Sequence, residues 1–556
     1  MVCNYCGFEN QPGARFCVSC GEEFLGLPPD VPPDIAVSAA PVKSDRAIKT
    51  PAGRKRGFKS PLPKKTLFIA GAVIILIIAL VIIIPQATGP GFSMRKDNIS
   101  LFFGEDTIII SGNNNAKFTI GGEFSSVQRS LDGSKAAILT DVRGNLGGTL
   151  WFVTTSGSYI IAEDVVAYQL ADSGNGVVYL TDYDSGSDIA TMYLYDTAAK
   201  KQAKITDEAK YTGSSNMEGV CISPNGKTTS YISDYNAVDK EFSGYIKVAG
   251  RDAERIGKDM YAVAISDGGR HLYYVKVMRN GADASLYVRS GRNDIRLIPD
   301  MAGTSIMLNA DYSQVVYEMD GRSYFCSNGG EKVKLGNSVV YGLILPRGSQ
   351  SGGNSGHTTV YGIKDFAGNV IRNEDGLAYL DSRYEVSRIP STAEHASRAF
   401  VSSDGKTLLY INNNGHLSSI DPTKPSSDRR EIGRDIQQFN ATGDCKTIYY
   451  INSANELWCV KGNRAPAKVA DDVYKEYLVL PWKGNRAFFL VDYSTRRNCG
   501  ELYCTDNGGK RVKIAGGEDV SRIWVTATSL FFRTIDNVVY RSGGGDKFAI
   551  FADDVK

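Results

Sequence analysis

From about residue 95 to the end, short apolar runs alternate with clusters of turn residues, and the runs return in a fixed order. A turn leading into an apolar strand appears as SPNGKTTSYIS from Ser223, SDGGRHLYYVK from Ser266, NADYSQVVYEM from Asn309, SSDGKTLLYIN from Ser402 and TGDCKTIYYIN from Thr442. A second strand with a polar or glycine-rich end follows: LYVRSG from Leu286, YFCSNGG from Tyr324, LWCVKG from Leu457, LYCTDNGG from Leu502 and VYRSGGG from Val539. A third piece is a short strand running into an acidic turn, as in VADDV from Val469, AGGEDV from Ala515 and FADDV from Phe551. The period is about 43 residues, room for about four short strands, with DG and NG pairs supplying the positive φ that tight hairpins need.

Such a pattern predicts an all-β protein, a β-propeller of about ten four-stranded units counted from Glu123 to the end, in one large ring or two. A β-sandwich is the rival, disfavoured because sandwiches do not repeat their sequence in this way. The stretch SLFFGEDTIIISGNNNAKFTI at 100–120 lacks a complete unit and is expected to close a ring with the C-terminal FAIFADDV, while GSQSGGNSGHTT at 348–359 interrupts the period. The SxDGKxxxY core, best kept at Ser402–Tyr410 and Ser223–Tyr231, resembles that of TolB-like and WD-repeat-like propellers. The resemblance spans residues 95–556 and implies the same propeller fold.

Upstream the pattern changes twice. Leu67 to Ile84 is an unbroken run of 18 apolar or small residues without a charge, ended by Pro85. At 1.5 Å per residue it is about 27 Å long, close to the hydrocarbon thickness of a bilayer, so residues 66–85 are expected to form a transmembrane helix. Residues 25–65 are proline-rich, then basic, and read as a disordered linker. Nine Lys or Arg (43, 46, 49, 54, 55, 56, 59, 64 and 65) precede the helix, whereas only Arg95 and Lys96 follow closely, offset by Asp97 and Glu105. The positive-inside rule then puts the N-terminus in the cytoplasm and residues 95–556 outside, in a single-pass protein of the cell membrane.

The first 24 residues carry two CxxC pairs, Cys3/Cys6 and Cys17/Cys20, each followed by a glycine, Gly7 and Gly21. Two CxxC turns present four thiolates, enough to close a tetrahedral zinc shell, and so short a segment needs a metal to fold. The pattern CxxCGxxNxxGxxFCxxCGxxF runs from Cys3 to Phe24, with Asn10, Gly13 and Phe16 in place, and resembles the short prokaryotic zinc-ribbon family. That resemblance implies a structural zinc ribbon over residues 1–24. Disulfides, a redox pair and an iron–sulfur cluster are the competing readings. A reducing cytosol favours thiolates, redox pairs sit in βαβ settings, and clusters use other spacings.

Composition adds mainly exclusions. With 63 Lys+Arg against 61 Asp+Glu, the formal charge of +2 offers no basic footprint for nucleic acid, and the ribbon carries one basic residue, Arg15, against Glu9, Glu22 and Glu23. A protein partner on the cytosolic side fits it better. His271, His357, His395 and His416 all fall in expected turns or loops, and neither a GxSxG elbow nor a phosphate loop occurs. Asp182, Asp184 and Asp188 alternate like part of a calcium loop, but Tyr193 stands where the closing glutamate belongs, so a polar hairpin is the better reading. Cys326, Cys459 and Cys504 hold one place in three repeats, as small strand residues. A Cys499–Cys504 bridge is the disulfide alternative left open.

The expected function is that of a membrane-tethered, non-catalytic binding, scaffold or sensor protein, linking a cytosolic zinc-ribbon contact to an envelope ligand or protein outside. The alternative is a cell-surface propeller enzyme, cleaving glycans or peptides, that uses its N-terminal parts only as an anchor. Elemental analysis of a fragment spanning residues 1–30 should find one zinc per chain, and any single Cys→Ser change at 3, 6, 17 or 20 should unfold it. A folded, metal-free fragment would contradict the ribbon.

Overall fold

The computed structural model describes residues 99–552 apart from 104–106, 112–116, 212–216, 237–240, 278–283, 300–305, 346–350, 356–357, 393–397, 481–485, 515–516, 526–529, 543–548 and four single positions. The four N-terminal cysteines, the linker and residues 66–85 therefore lie outside the described residues. Among the described residues no helix is long and apolar enough to cross a membrane.

The chain begins with a three-stranded sheet of β1 (Ser100–Phe103), β2 (Thr107–Ser111) and β3 (Lys117–Gly121). The next sheet, β4 (Phe124–Arg129), β5 (Lys135–Thr140), β6 (Gly148–Thr154) and β7 (Gly157–Val165), is a four-stranded antiparallel meander. Nine more meanders follow, spanning 167–210, 221–258, 260–298, 306–334, 340–388, 399–433, 436–470, 473–513 and 520–552. Ten four-stranded units starting at Phe124 match the count expected from the repeat. Thr228, His271 and Gln314 open the second strands of three successive units, 43 residues apart each time. Units nine and ten share one sheet path through the pair Gly500–Val520.

In the second unit burial falls from the first strand to the fourth. Ala167–Leu170 is buried throughout, whereas Lys201–Lys210 is mostly exposed. The second and third strands are locked by aromatic residues placed directly opposite one another, the cross-strand arrangement that stabilises sheets best. Tyr179 stacks on Tyr193, Tyr231 on Tyr245, Tyr274 on Tyr287 and Tyr317 on Tyr324, with ring centroids 5.3–5.8 Å apart. Phe489 with Tyr503 and Phe532 with Tyr540 repeat the motif. Much of the tyrosine content is thus a repeated structural pair.

Successive units pack face to face through apolar clusters that each join only neighbours in the chain. Ala137, Leu139, Leu150 and Phe152 of the first unit meet Tyr168, Leu170, Val177 and Tyr179 of the second, and the succession continues to the tenth. The circuit is completed by the N-terminal sheet. Ile108, Ile110 and Ile120 pack on Ala136, Ile138 and Val153 of the first unit. On the other side Phe102 and Ile109 pack on Phe531, Val539 and Phe551 of the last. This is an all-β propeller whose packing forms one circuit, and no sheet closes on itself by hydrogen bonds.

The expected closure by FAIFADDV is therefore corrected. The strand Ala549–Ala552 pairs with Val539–Ser542, as the fourth strand of its own unit, and meets the N-terminal sheet through side chains only. The interruption at 348–359 contributes an insertion in the sixth unit. Its strands Ser351–Ser355 and Thr358–Tyr361 leave that unit, and Thr358–Tyr361 pairs in parallel with Ile306–Leu308, the first strand of the fifth. The Cys499–Cys504 bridge is excluded. Both lie five residues apart on the strand Cys499–Asp506, about 16 Å along an extended chain, and both are free and buried. Cys326, Cys459 and Cys504 do occupy third strands of the fifth, eighth and ninth units, as small buried residues.

Phe102 is the hub of the seam, with ring centroids 5.1 Å from Phe531, 5.2 Å from Phe551 and 5.8 Å from Trp524. Phe102→Ala in a fragment covering residues 95–556 should cost about 3–5 kcal/mol in urea unfolding. A loss below about 1 kcal/mol would show that the circuit does not depend on this contact.

Candidate functional site

The SxDGK repeat forms the turn between first and second strands, and its residue types are dictated by hydrogen bonding. The Ser402 hydroxyl donates to Asp404 Oδ1 at 2.6 Å and accepts from the Thr407 amide at 2.9 Å. Ser130 acts likewise toward Asp132 and Lys135, Ser223 toward Asn225 and Thr228, and Thr442 toward Asp444 and Thr447. Short polar side chains compete well for such local backbone groups. The turns are also tied from unit to unit. Leu131 N donates to Asp172 O at 2.7 Å, Ser173 N to Pro224 O at 3.0 Å and Ser403 N to Gly443 O at 2.7 Å. The approach is so close that a Cβ on Gly226, which holds φ 77°, would sit 2.5 Å from Gly176 N.

The departures in the second and fifth units meet, and together they make the candidate site. In the second unit the motif serine is replaced by Ala171, and Asp172 follows it. In the fifth, NADYSQ puts Tyr312 where Gly133, Gly226 and Gly405 stand in other turns, as Cys445 does in the eighth, and its φ of 61° is a left-handed conformation that a bulky residue adopts only under constraint. Tyr312 is fully buried, and its hydroxyl donates to Asp172 Oδ2 at 2.8 Å, linking two units that are not neighbours. Tyr273 from the fourth unit donates to Tyr312 O at 3.0 Å and holds the strained turn.

Burial pushes the Asp172 carboxyl up to about 6. The Tyr312 hydrogen bond opposes that rise and the charge of Asp267, in the fourth unit's turn, adds to it. Raised carboxyls are a mark of acid–base sites, and Asp172 keeps intermediate solvent exposure beside its hydrogen bond to Tyr312. Its chemistry is that of a cross-tie carrying a proton of adjustable affinity.

The residues singled out from sequence are not brought together here. Asp182, Asp184 and Asp188 lie on one hairpin, each with a local partner. Thr181 donates to Asp182, Gly186 N and Ser187 to Asp184, and Tyr183 to Asp188. Among the described residues no three His, Cys, Asp or Glu side chains are grouped to hold a metal ion. His271 departs from the loop expected for it: it opens a strand, is buried and places Nδ1 3.0 Å from Ser290 Oγ. Burial holds its imidazole below the usual value, with the Asp311 charge opposing. His416 Nδ1 lies 3.1 Å from Glu431 Oε2, and His357 and His395 lie outside the described residues.

The opposite side of the propeller carries the second-to-third-strand turns and the acidic turns between units. Asp141, Asp182, Asp234 and Asp492 of the former, and Asp164, Asp259, Asp435, Asp472 and Asp519 of the latter, all have positive φ. Aspartate tolerates that conformation, and backbone links such as Asp141 N to Glu123 O at 2.8 Å and Asp492 N to Asp472 O at 3.2 Å join the two sets. The acidic turns were legible as punctuation; their backbone role explains the residue type.

Because the folded-state value of Asp172 is raised, its stabilising contribution is full at low pH and is lost as pH rises through about 6. Asp172→Asn should therefore remove up to about 3 kcal/mol of the stability change between about pH 4 and 6, read as the difference between variant and parent in urea unfolding. An unchanged pH profile would refute the buried proton.

No known protein family matches the chain, and no curated protein matches it. Solved structures to which it is similar include a eukaryotic initiation factor, at 13% identity over 67% of this chain and 95% of that one, with a TM-score of 0.38. Others are the β-propeller domain of the trilobed protease from Pyrococcus furiosus, at 11% identity, 60% and 97% coverage and a TM-score of 0.30, and TolB from Acinetobacter baumannii, at 11%, 59% and 77%, and 0.25. With TM-scores below 0.5, none of these likenesses bears on what the chain does.

Proposed function

We propose that this chain is a single-pass, membrane-tethered binding protein. A cytosolic zinc ribbon held by Cys3, Cys6, Cys17 and Cys20 contacts a protein partner, and an extracytoplasmic propeller engages an envelope ligand or protein without catalysis. The observation that carries the reading is the order of the parts: a thiolate-rich module, nine basic residues, an uncharged apolar run of membrane length, then the propeller. A surface enzyme needs only an anchor, and a separate metal-dependent module before the membrane helix has no part in that.

Protease added to intact cells should digest the propeller and spare an N-terminal tag, whereas a protected propeller would reverse the topology. The purified full-length protein in detergent should show no turnover of glycan or peptide substrates, and measurable hydrolysis would replace this reading with the enzyme one.

A further inference from the structure

The formal charge of +2 conceals an uneven distribution. In an antiparallel meander the turn between third and fourth strands lies on the same side as the motif turn, and in the seventh, eighth and ninth units that turn is basic. Residues 421–430, 461–468 and 506–513 hold nine Lys or Arg against Asp421, Asp428 and Asp506. Elsewhere in the circuit the same turn is uncharged, as at Thr155 and Ser156, or mixed in sign, as with Asp196 and Lys200 or Asp381 and Arg383.

Three of the nine are committed within the protein. Lys468 pairs with Glu456 and Asp471, and Lys513 with Glu501 and Glu518, all toward the opposite side. Arg430 donates to Gly462 O and Asn463 Oδ1, both at 2.7 Å, in the turn of the next unit. That leaves Lys424 and Arg429, Lys461 and Arg464, Lys510 and Arg511, one lysine and one arginine per unit. None of these six forms an ion pair among the described residues. Asp506 is taken by Arg486, and Asp421 accepts from the Thr423 amide and hydroxyl. The opposite side of the same units is different: there Arg434 pairs with Glu431 and Arg497 with Asp519, both at 2.7 Å.

The three turns are also fixed to one another. Arg430 ties the seventh unit's turn to the eighth's, and Gly508 N donates to the Tyr449 hydroxyl at 2.8 Å, which ties the ninth's turn to the eighth unit. Lys424, Arg429, Lys461, Arg464 and Lys510 are exposed. Two of the arginines are braced by aromatic residues. The Arg511 guanidinium stands 5.1 Å over the Tyr503 ring, and Arg429 lies beside the Tyr410 hydroxyl. A braced guanidinium has less freedom to lose when it binds an anion.

We propose that this strip binds a linear, non-nucleic polymer carrying phosphate groups along its length. An arginine supplies paired donors that match phosphate oxygens and a lysine a compact charge, so each unit holds both kinds of phosphate-binding side chain. A site repeated on three tied units fits a repeating ligand, whose successive phosphates each meet one Lys–Arg pair. Single-stranded nucleic acid fits less well, because its bases stack on exposed aromatic residues. The one large apolar side chain exposed in these turns, among the described residues, is Val512. The inference deepens the binding reading by naming the ligand's chemistry, and it rests on that reading.

The probe is fluorescent long-chain inorganic polyphosphate, titrated into the full-length protein in uncharged detergent micelles. Saturable binding is expected, weakening at least about tenfold when NaCl is raised from about 50 to 200 mM. Arg429→Gln, Arg464→Gln and Arg511→Gln together should weaken it at least about tenfold while thermal melting stays cooperative. Arg434→Gln, Arg496→Gln and Arg497→Gln remove the same charge from the opposite side and should change affinity less than about twofold. Equal losses from the two triple variants would show attraction to net charge alone and overturn the proposal, as would no saturation by about 1 mM probe. Tighter binding of single-stranded poly(U) would assign the strip to nucleic acid. Displacement of the probe by phosphatidylglycerol added to the micelles would assign it to a lipid surface, and either result overturns the polymer. A failed strip leaves the binding reading standing with another ligand, whereas turnover of glycan or peptide defeats that reading whatever polyphosphate does.

Discussion

Everything in the propeller hangs on the turn between first and second strands. A serine, threonine or asparagine side chain there satisfies the amide five residues on, an Asp or Asn shapes the corner, and a backbone amide reaches into the next unit's turn. Each neutral hydrogen bond of this kind contributes only about 1 kcal/mol net. Their importance lies in placement, since they fix the strand on which each inter-unit apolar cluster is built. Without that register the tyrosine pairs on second and third strands would not face one another, because a slip of one residue turns every side chain to the other face.

Against that background the two irregular turns acquire meaning. Ala171 removes the local hydroxyl and Tyr312 occupies a glycine corner, so both turns forgo part of the usual arrangement. Both instead feed one half-buried hydrogen bond, Tyr312 to Asp172, between units that do not otherwise share a cluster. Strain at Tyr312 persists because burial and the Tyr273 hydroxyl leave it no alternative.

The repeat was the most legible feature of the sequence. DG and NG turns, apolar runs and acidic punctuation recur locally, and local signals gave ten units beginning where the structure begins them. The shared position of Cys326, Cys459 and Cys504 was legible for the same reason. What escaped was whatever depends on distant residues. Asp172 and Tyr312 are 140 positions apart, and the one clue was a bulky tyrosine in NADYSQ at a place held by glycine in SLDGSK, SPNGKT and SSDGKT. His271 read as a loop residue because it follows a turn, yet the first residue of a second strand is already inside. The seam was misread for a similar reason: FAIFADDV has the pattern of a closing strand, and whether it pairs or packs depends on β1 and Phe102, more than 400 residues away.

That seam gives the propeller a built-in expansion joint. Elsewhere in the circuit, backbone links such as Leu131 N to Asp172 O, Ser173 N to Pro224 O and Ser403 N to Gly443 O join the turns of neighbouring units, whereas the N-terminal sheet meets the last unit through the side chains of Phe102, Ile109, Phe531, Val539 and Phe551. Apolar contact is non-directional and tolerates sliding, so a wedge entering there displaces rings without breaking a ladder.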